Sequence, residues 1–155
     1  MDKKKEVINI LLVSLDDRFA KNVVENLADI LDMYNCDCKD LVVYDLIDPK
    51  DILEKCGIDY FKKREKAVLE NCASYHDTIM SIDYDLFKEY HDLFKNSIVV
   101  FLNCKSSQNF RVPSKIDRVN RENFLRKHST FEIYVERKVT RKVCNMIIDK
   151  LKEII

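Results

Sequence analysis

Short, nearly unbroken apolar runs alternate along this chain with stretches whose apolar residues recur every three or four positions. Ile8–Val13, Leu41–Tyr44, Thr78–Ile82 and Ile98–Leu102 are runs of the first kind, and Phe131–Val135 alternates. Such runs predict strands, the first of them, Ile8–Val13, buried on both faces. Between them, Phe19, Val23, Leu27 and Ile30 fall on one face of a helix, with Asp16 or Asp17 as its N-cap. Asp48-Pro49 predicts a break followed by a helix start, because proline fits the first helical position. Ile52–Cys56 and Tyr60–Cys72 read as helical segments around Gly57, and Leu86–Phe94, Glu122–Lys127 and Thr140–Ile155 as further helices. Ser106–Arg118 is polar, contains Pro113 and reads as a loop.

Regular alternation of strand and helix predicts an α/β fold: a three-layer sandwich with a mainly parallel, five-stranded sheet. The length of 155 residues suits one domain over 1–155 with a real core. In such a sheet ligands sit beyond the carboxyl ends of the strands. The places to inspect are then Ser14–Arg18, Asp45–Asp48, Ser81–Asp85 and Asn103–Lys105. Aspartate recurs in three of them, and it suits a helix cap there as well as it suits chemistry.

Composition narrows the chemistry. The 27 basic and 27 acidic side chains cancel, so no overall field attracts nucleic acid or an anionic membrane. Charge is uneven only locally, with a basic stretch over Arg118–Lys142. The apolar stretch after Lys3-Lys4-Lys5 is too short for a membrane span and no small-residue cleavage site follows it, so a cytosolic protein is expected. Six scattered cysteines fit a reducing compartment, and Cys36-x-Cys38 lacks the companions of a metal site. His76, His91 and His128 have no metal-ligand spacing.

The chain has a single glycine, Gly57, where ordinary usage of about 7% predicts roughly eleven. Glycine lets backbone wrap closely around phosphate. Without it near the first strand, a Walker A loop, a G-x-G-x-x-G turn and a G-x-S-x-G elbow are all excluded.

Several stretches nevertheless resemble shikimate kinase, a small P-loop kinase acting on shikimate with ATP and Mg²⁺. Cys56–Leu69 is similar to the family's G-E-x-x-F-R-x-x-E-x-x-V-L pattern, with Gly57, Phe61 and Glu65 matching. Ile98–Leu102 is similar to its V-V-Y-L strand. Arg111-Val112-Pro113 resembles the R-P of its lid, and Arg121–Leu125 its R-x-P-L-Y. The resemblance implies a substrate site of Lys62, Glu65, Arg111 and Arg121, with Lys62 replacing an arginine, and a candidate lid over 106–127. It implies Asp45 and Asp48 as the counterpart of the catalytic D-x-D, spaced here as D-x-x-D.

Where the family has G-x-x-G-x-G-K-[ST], this chain has Ser14–Asn22, with Ala20 at the lysine position and Lys21 one residue late. One residue turns a helical side chain by about 100°. Asp16 and Asp17 would repel the phosphates that the loop normally cradles. The expectation is therefore a protein without ATP-dependent kinase activity that binds a small anionic metabolite or a protein partner, and neither nucleic acid nor membrane. Two alternatives remain. One is an active kinase that holds ATP and Mg²⁺ through Arg18 or Lys21. The other is a receiver-like phospho-acceptor domain, which Ile10–Asp17 and Leu41–Asp45 also resemble, with Mg²⁺ on Asp16 and Asp17, Asp45 as acceptor, Ser81 as switch hydroxyl and Lys105 as the following lysine.

Overall fold

In the computed structural model, which describes residues 9–104 and 114–154, five strands form one parallel sheet. These are β1 (Asn9–Ser14), β2 (Tyr34–Asp37), β3 (Thr78–Ile82), β4 (Ser97–Cys104) and β5 (Phe131–Val135). Their order across the sheet is β2-β3-β1-β4-β5. β1 is central, with Leu12 opposite Ser81 on one side and Val100 on the other. A receiver-like fold would instead run 2-1-3-4-5.

Strand alternation divides the core in two. Ile10 and Leu12 join Val100, Leu102 and Ile133 beneath α1 (Asp17–Leu31) and α6 (Thr140–Ile154). Leu11, Val13, Met80 and Phe101 face the other layer, built from α2 (Cys38–Leu46), α3 (Pro49–Ala73), α4 (Tyr84–Tyr90) and α5 (Lys115–His128). Sheet residues buried on both faces explain the unbroken apolar runs.

The helices begin where short polar side chains satisfy free N–H groups. Asp16 caps α1, Asp37 caps α2, Asp48 caps α3, Asp83 caps α4 and Ser114 caps α5. Gly57 takes φ 82° inside α3, kinking it between the two segments expected around that residue. No contact would block a side chain there, so the positive φ is what favours glycine.

Four expectations need correction. Leu41–Tyr44 is not the second strand but lies in α2, because Asp37 caps a helix whose inward stripe is Cys38, Val42 and Leu46. The strand is the polar segment before it, held at the sheet edge by β3 and by the Tyr34 N–H donating to the Asp77 carbonyl at 2.8 Å. The helix expected over Leu86–Phe94 starts earlier, at Tyr84, and ends as α4 at Tyr90, with His91–Phe94 forming a 3₁₀ turn. In the expected loop and lid, residues from Lys115 onward form α5, which is longer than Glu122–Lys127 and buries Leu125. The part of that lid at 106–113 lies outside the described residues.

Asn9, the one polar residue within the first apolar run, is buried and works as a clasp. Its Nδ2 donates to the carbonyls of Ala73 (3.0 Å) and Tyr75 (2.9 Å), and its Oδ1 accepts from Ser97. Replacing it strands buried partners, so Asn9→Val is expected to cost about 2–3 kcal/mol and Ser97→Ala about 1 kcal/mol. Urea unfolding measures both. A loss below about 0.5 kcal/mol for Asn9→Val would show that the clasp does not hold α3 to the sheet.

Candidate functional site

The carboxyl ends of the strands gather an acidic rim. Only Leu15 and Asp16 separate β1 from α1, so the helix begins where a phosphate loop would extend. The Asp16 N–H donates to Ser14 Oγ at 3.1 Å, and Asp16 Oδ1 accepts from the Phe19 N–H at 3.1 Å. Asp16 Oδ2 meets Lys138 Nζ at 2.5 Å, although its side chain is only 8% exposed. Phe19 and Ala20 point into the core under α1.

Asp17, Asp37 and Asp83 complete the rim. Asp37 accepts from Ser81 Oγ at 2.5 Å and from the Asp40 N–H at 3.0 Å. Asp83 accepts from the Leu86 N–H at 2.9 Å. Loss of hydration among the surrounding groups, then the charges of Asp83, Asp37 and Asp16, push the Asp17 carboxyl up to about 6 although the residue still reaches solvent, against only partial relief from Lys21. Asp83 is also raised, chiefly by burial. A cleft of about 310 Å³ opens beside this rim between Lys21, Cys36, Asp37, Asp40 and Ser81.

The candidate nucleotide ligands are placed as follows. Lys21 turns towards the edge strand, 3.2 Å from Asp40 and 3.8 Å from Asp37. Partial burial opposes its charge, but those carboxylates outweigh burial and hold it protonated above its ordinary range. Arg18 is exposed on the first turn of α1. Asp45 is on α2, one helix beyond β2, gripped by Arg64 at 2.8 and 3.2 Å. Asp48 caps α3 through the Asp51 N–H at 3.1 Å. The pair Asp45 and Asp48 therefore stands away from the strand end, where Asp37 sits instead.

The candidate anion ligands are also engaged. Lys62 Nζ lies 2.8 Å from Glu89 and 3.4 Å from the buried Glu65. Arg121 stacks over the Tyr84 ring at 4.7 Å. Tyr84 and Glu89 belong to the same helix but to opposite ends of it, so Arg121 and Lys62 are engaged at opposite ends of α4. Arg111 lies outside the described residues. Tyr84 follows the capping Asp83 at the start of α4, and its ring packs edge-on to Phe124.

Asp37, Asp83, Lys138 and Glu89 were not singled out as site residues from the sequence. Asp37-x-x-Asp40 carried a capping signal, but nothing in sequence spacing ties Lys138 to Asp16, 122 positions apart. Among the described residues, no group of three or more His, Cys, Asp or Glu could hold a metal ion. None of the six cysteines, all among the described residues, is joined in a disulfide. The hydrogen bond that the Cys36 thiol donates to Cys72, with burial, pushes the Cys36 thiol far up, which keeps it protonated.

The crowding at Asp17 has a pH signature. Its folded value near 6 exceeds its ordinary 3.8, so the fold favours the protonated form. The wild type then loses stability as pH rises through that interval, and the loss is complete above the folded value. The difference in urea midpoint between Asp17→Asn and wild type is expected to shift in the variant's favour from about pH 4 to about pH 7. A difference independent of pH over that range would show that the rim does not strain Asp17.

Comparison with known proteins agrees with the fold. The family model for shikimate kinase matches residues 21–154, beginning just past the β1–α1 turn. No curated protein sequence matches the chain. A shikimate kinase from Acinetobacter baumannii, solved in complex with shikimate, superposes with a TM-score of 0.68 at 18% identity, covering 96% of this chain and 95% of that one. The Aquifex aeolicus shikimate kinase gives 0.67 at 18% identity, over 94% of this chain and 96% of that one. The Bacteroides thetaiotaomicron shikimate kinase gives 0.63 at 12% identity, over 94% and 98%. With residues 21–154 matched and the parallel five-stranded fold in place, this chain belongs to the shikimate kinase family.

Proposed function

We propose that this chain is a member of the shikimate kinase family that has lost ATP-dependent phosphoryl transfer and serves as a non-catalytic binding domain for a protein partner. The observation that carries this reading is the β1–α1 junction. Phosphoryl transfer depends on positioning and on neutralising the phosphate charge. At this junction the loop is two residues long, the lysine position is Ala20 in the core, and the helix N-terminus already holds the Asp16 carboxylate. Asp16, Asp17, Asp37 and Asp83 then oppose any phosphate that approaches. ATP with Mg²⁺ does not fit these residues, and no reaction step is assigned to it.

A protein partner is favoured over a small anionic metabolite because the described cations of the expected substrate site are occupied. An anion would have to displace Glu89 and Glu65 from Lys62 and contend with Tyr84 beneath Arg121. Burial first, and the neighbouring Glu65 and Glu89 second, also push the Tyr90 phenol far up.

Titration calorimetry with Mg-ATP, Mg-ADP and shikimate, each added separately, tests the proposal. No heat of binding is expected for either nucleotide up to millimolar concentration, and none for shikimate. Micromolar Mg-ATP binding would overturn the loss of nucleotide binding. Shikimate binding without nucleotide, abolished by Lys62→Ala or Arg121→Ala, would overturn the preference for a protein partner.

A further inference from the structure

α5 is held lightly to the rest of the molecule. Leu125 is its one fully buried residue. Near its start Arg118 Nη2 donates to the Cys104 carbonyl at 3.2 Å, and towards its end Arg126 grips Glu132 at 2.9 and 3.2 Å. A further anchor near that end is a pile of rings. Phe124 packs edge-on to Tyr84 and Phe87 at 6.1 and 6.2 Å. His128, the last residue of the helix, lies against His91 with ring centroids 4.1 Å apart. Phe124 closes the group, 4.5 Å from His128 and 5.3 Å from His91. An element with few buried apolar contacts is where local opening costs least.

Two imidazoles in contact make that pile sensitive to protons, because histidine changes charge near neutral pH. The two rings are not equivalent. His91 Nδ1 lies 3.2 Å from the Lys88 carbonyl, which can only accept, so Nδ1 carries the hydrogen of the neutral ring. Its Nε2 is then the atom that takes up a proton, and it lies 3.4 Å from a carboxylate oxygen of Asp92. A charge on His91 therefore meets a counter-ion on its own 3₁₀ turn. His128 has Lys127 beside it on α5. Loss of hydration, then the charges of His91 and Lys127, hold its imidazole below the ordinary 6.5, with Asp92 opposing. α4 adds the Lys88 carbonyl and the Phe87 ring, which stacks on His91 at 6.0 Å. A second charge is thus resisted at the contact between the 3₁₀ turn and α5.

We infer that the contact of His91 with His128 is a pH-sensitive fastening of α5: protonation of both rings drives them apart and loosens the helix, while the sheet and the other helices stay in place. Like charges at this separation repel strongly where water is partly excluded. His128 relieves that repulsion by leaving its ring neighbours. It stands at the end of the helix, with Ser129 and Thr130 joining it to β5, so the helix end moves with it. Because the fold favours the neutral His128, the fastening is complete above the ordinary value of 6.5 and is lost as pH falls below it. Loosening also frees Arg121 from the Tyr84 ring and uncovers the face beneath Phe124. The device is independent of whether the chain binds nucleotide.

Amide hydrogen exchange of the full chain at about pH 7.5 and about pH 5, expressed as protection relative to each amide's intrinsic rate, tests the inference. α6, which packs on the other face of the sheet, is the internal reference. α5 is expected to lose about 5- to 10-fold in protection at the lower pH, while α6 changes less than about 2-fold. The Asp17 effect has the opposite sign and sits on α1, so it does not produce this difference. His128→Phe keeps a ring against His91 without a titrating group, and its α5 protection is expected to be the same at both pH values. Asp92→Asn removes the counter-ion and is expected to move the midpoint of the loss to lower pH. A wild-type α5 as protected at the lower pH as at the higher overturns the inference. So does a loss that persists in His128→Phe, a loss matched by α6, or a midpoint that Asp92→Asn leaves in place or raises.

Discussion

The structure depends on β1 having no access to water. Its backbone pairs with β3 on one side and β4 on the other, and each of its residues from Asn9 to Ser14 is buried. Both faces must then be covered, which commits alternate residues to two separate cores and requires a helical layer on each side. Parallel pairing cannot be closed by tight turns, so a connection must return across the sheet between strands. Every strand therefore ends on the same edge. The rim of carboxylates is a geometric consequence of that arrangement, as is its proximity to the first turns of α1, α2 and α4.

At that rim the same electrostatics that favour phosphate have been turned to internal use. A helix N-terminus offers free N–H groups and a positive dipole end to any nearby anion. In this chain the anions are its own side chains. Asp16, Asp37 and Asp83 each accept a backbone N–H, and Lys138 and Lys21 offset part of the resulting charge. Asp17 gains less: loss of hydration first, and repulsion from its neighbours second, raise its proton affinity. The rim stabilises three helix starts at the cost of a crowded negative field, and that field is what distinguishes it chemically from a phosphate-binding edge.

Much of the fold was legible because its signals are local. Thr78–Ile82 and Phe131–Val135 match the observed strands in full, and Asp48-Pro49 and Gly57 mark a real helix start and a real kink. The second strand was misread for a physical reason. Leu41–Tyr44 is a four-residue apolar run, and such a run cannot be told from part of a helix by periodicity. Meanwhile Tyr34–Asp37 is polar, and only its place at the sheet edge beside β3 makes it a strand. The same error carried Asp45 and Asp48 to a strand end they do not occupy. The length of α5 was missed because the only apolar residues in its first half, Ile116 and Val119, are exposed and set no buried stripe, and Leu125 alone anchors it deeply.

Residue chemistry over short windows was enough to establish an alternating α/β chain, its caps, its kink and the absence of glycine where a phosphate loop would need it. Each of these rests on a side chain acting on its own backbone or on near neighbours. The assembled sheet alone decided the order β2-β3-β1-β4-β5 and the pairing of Lys138 with Asp16. It also decided the engagement of Lys62 by Glu89 and the exposure of Tyr44 and Ile47. Those depend on which distant segments share a face, and the free energy that selects them comes from burying surface and neutralising charge between parts of the chain that no local pattern connects.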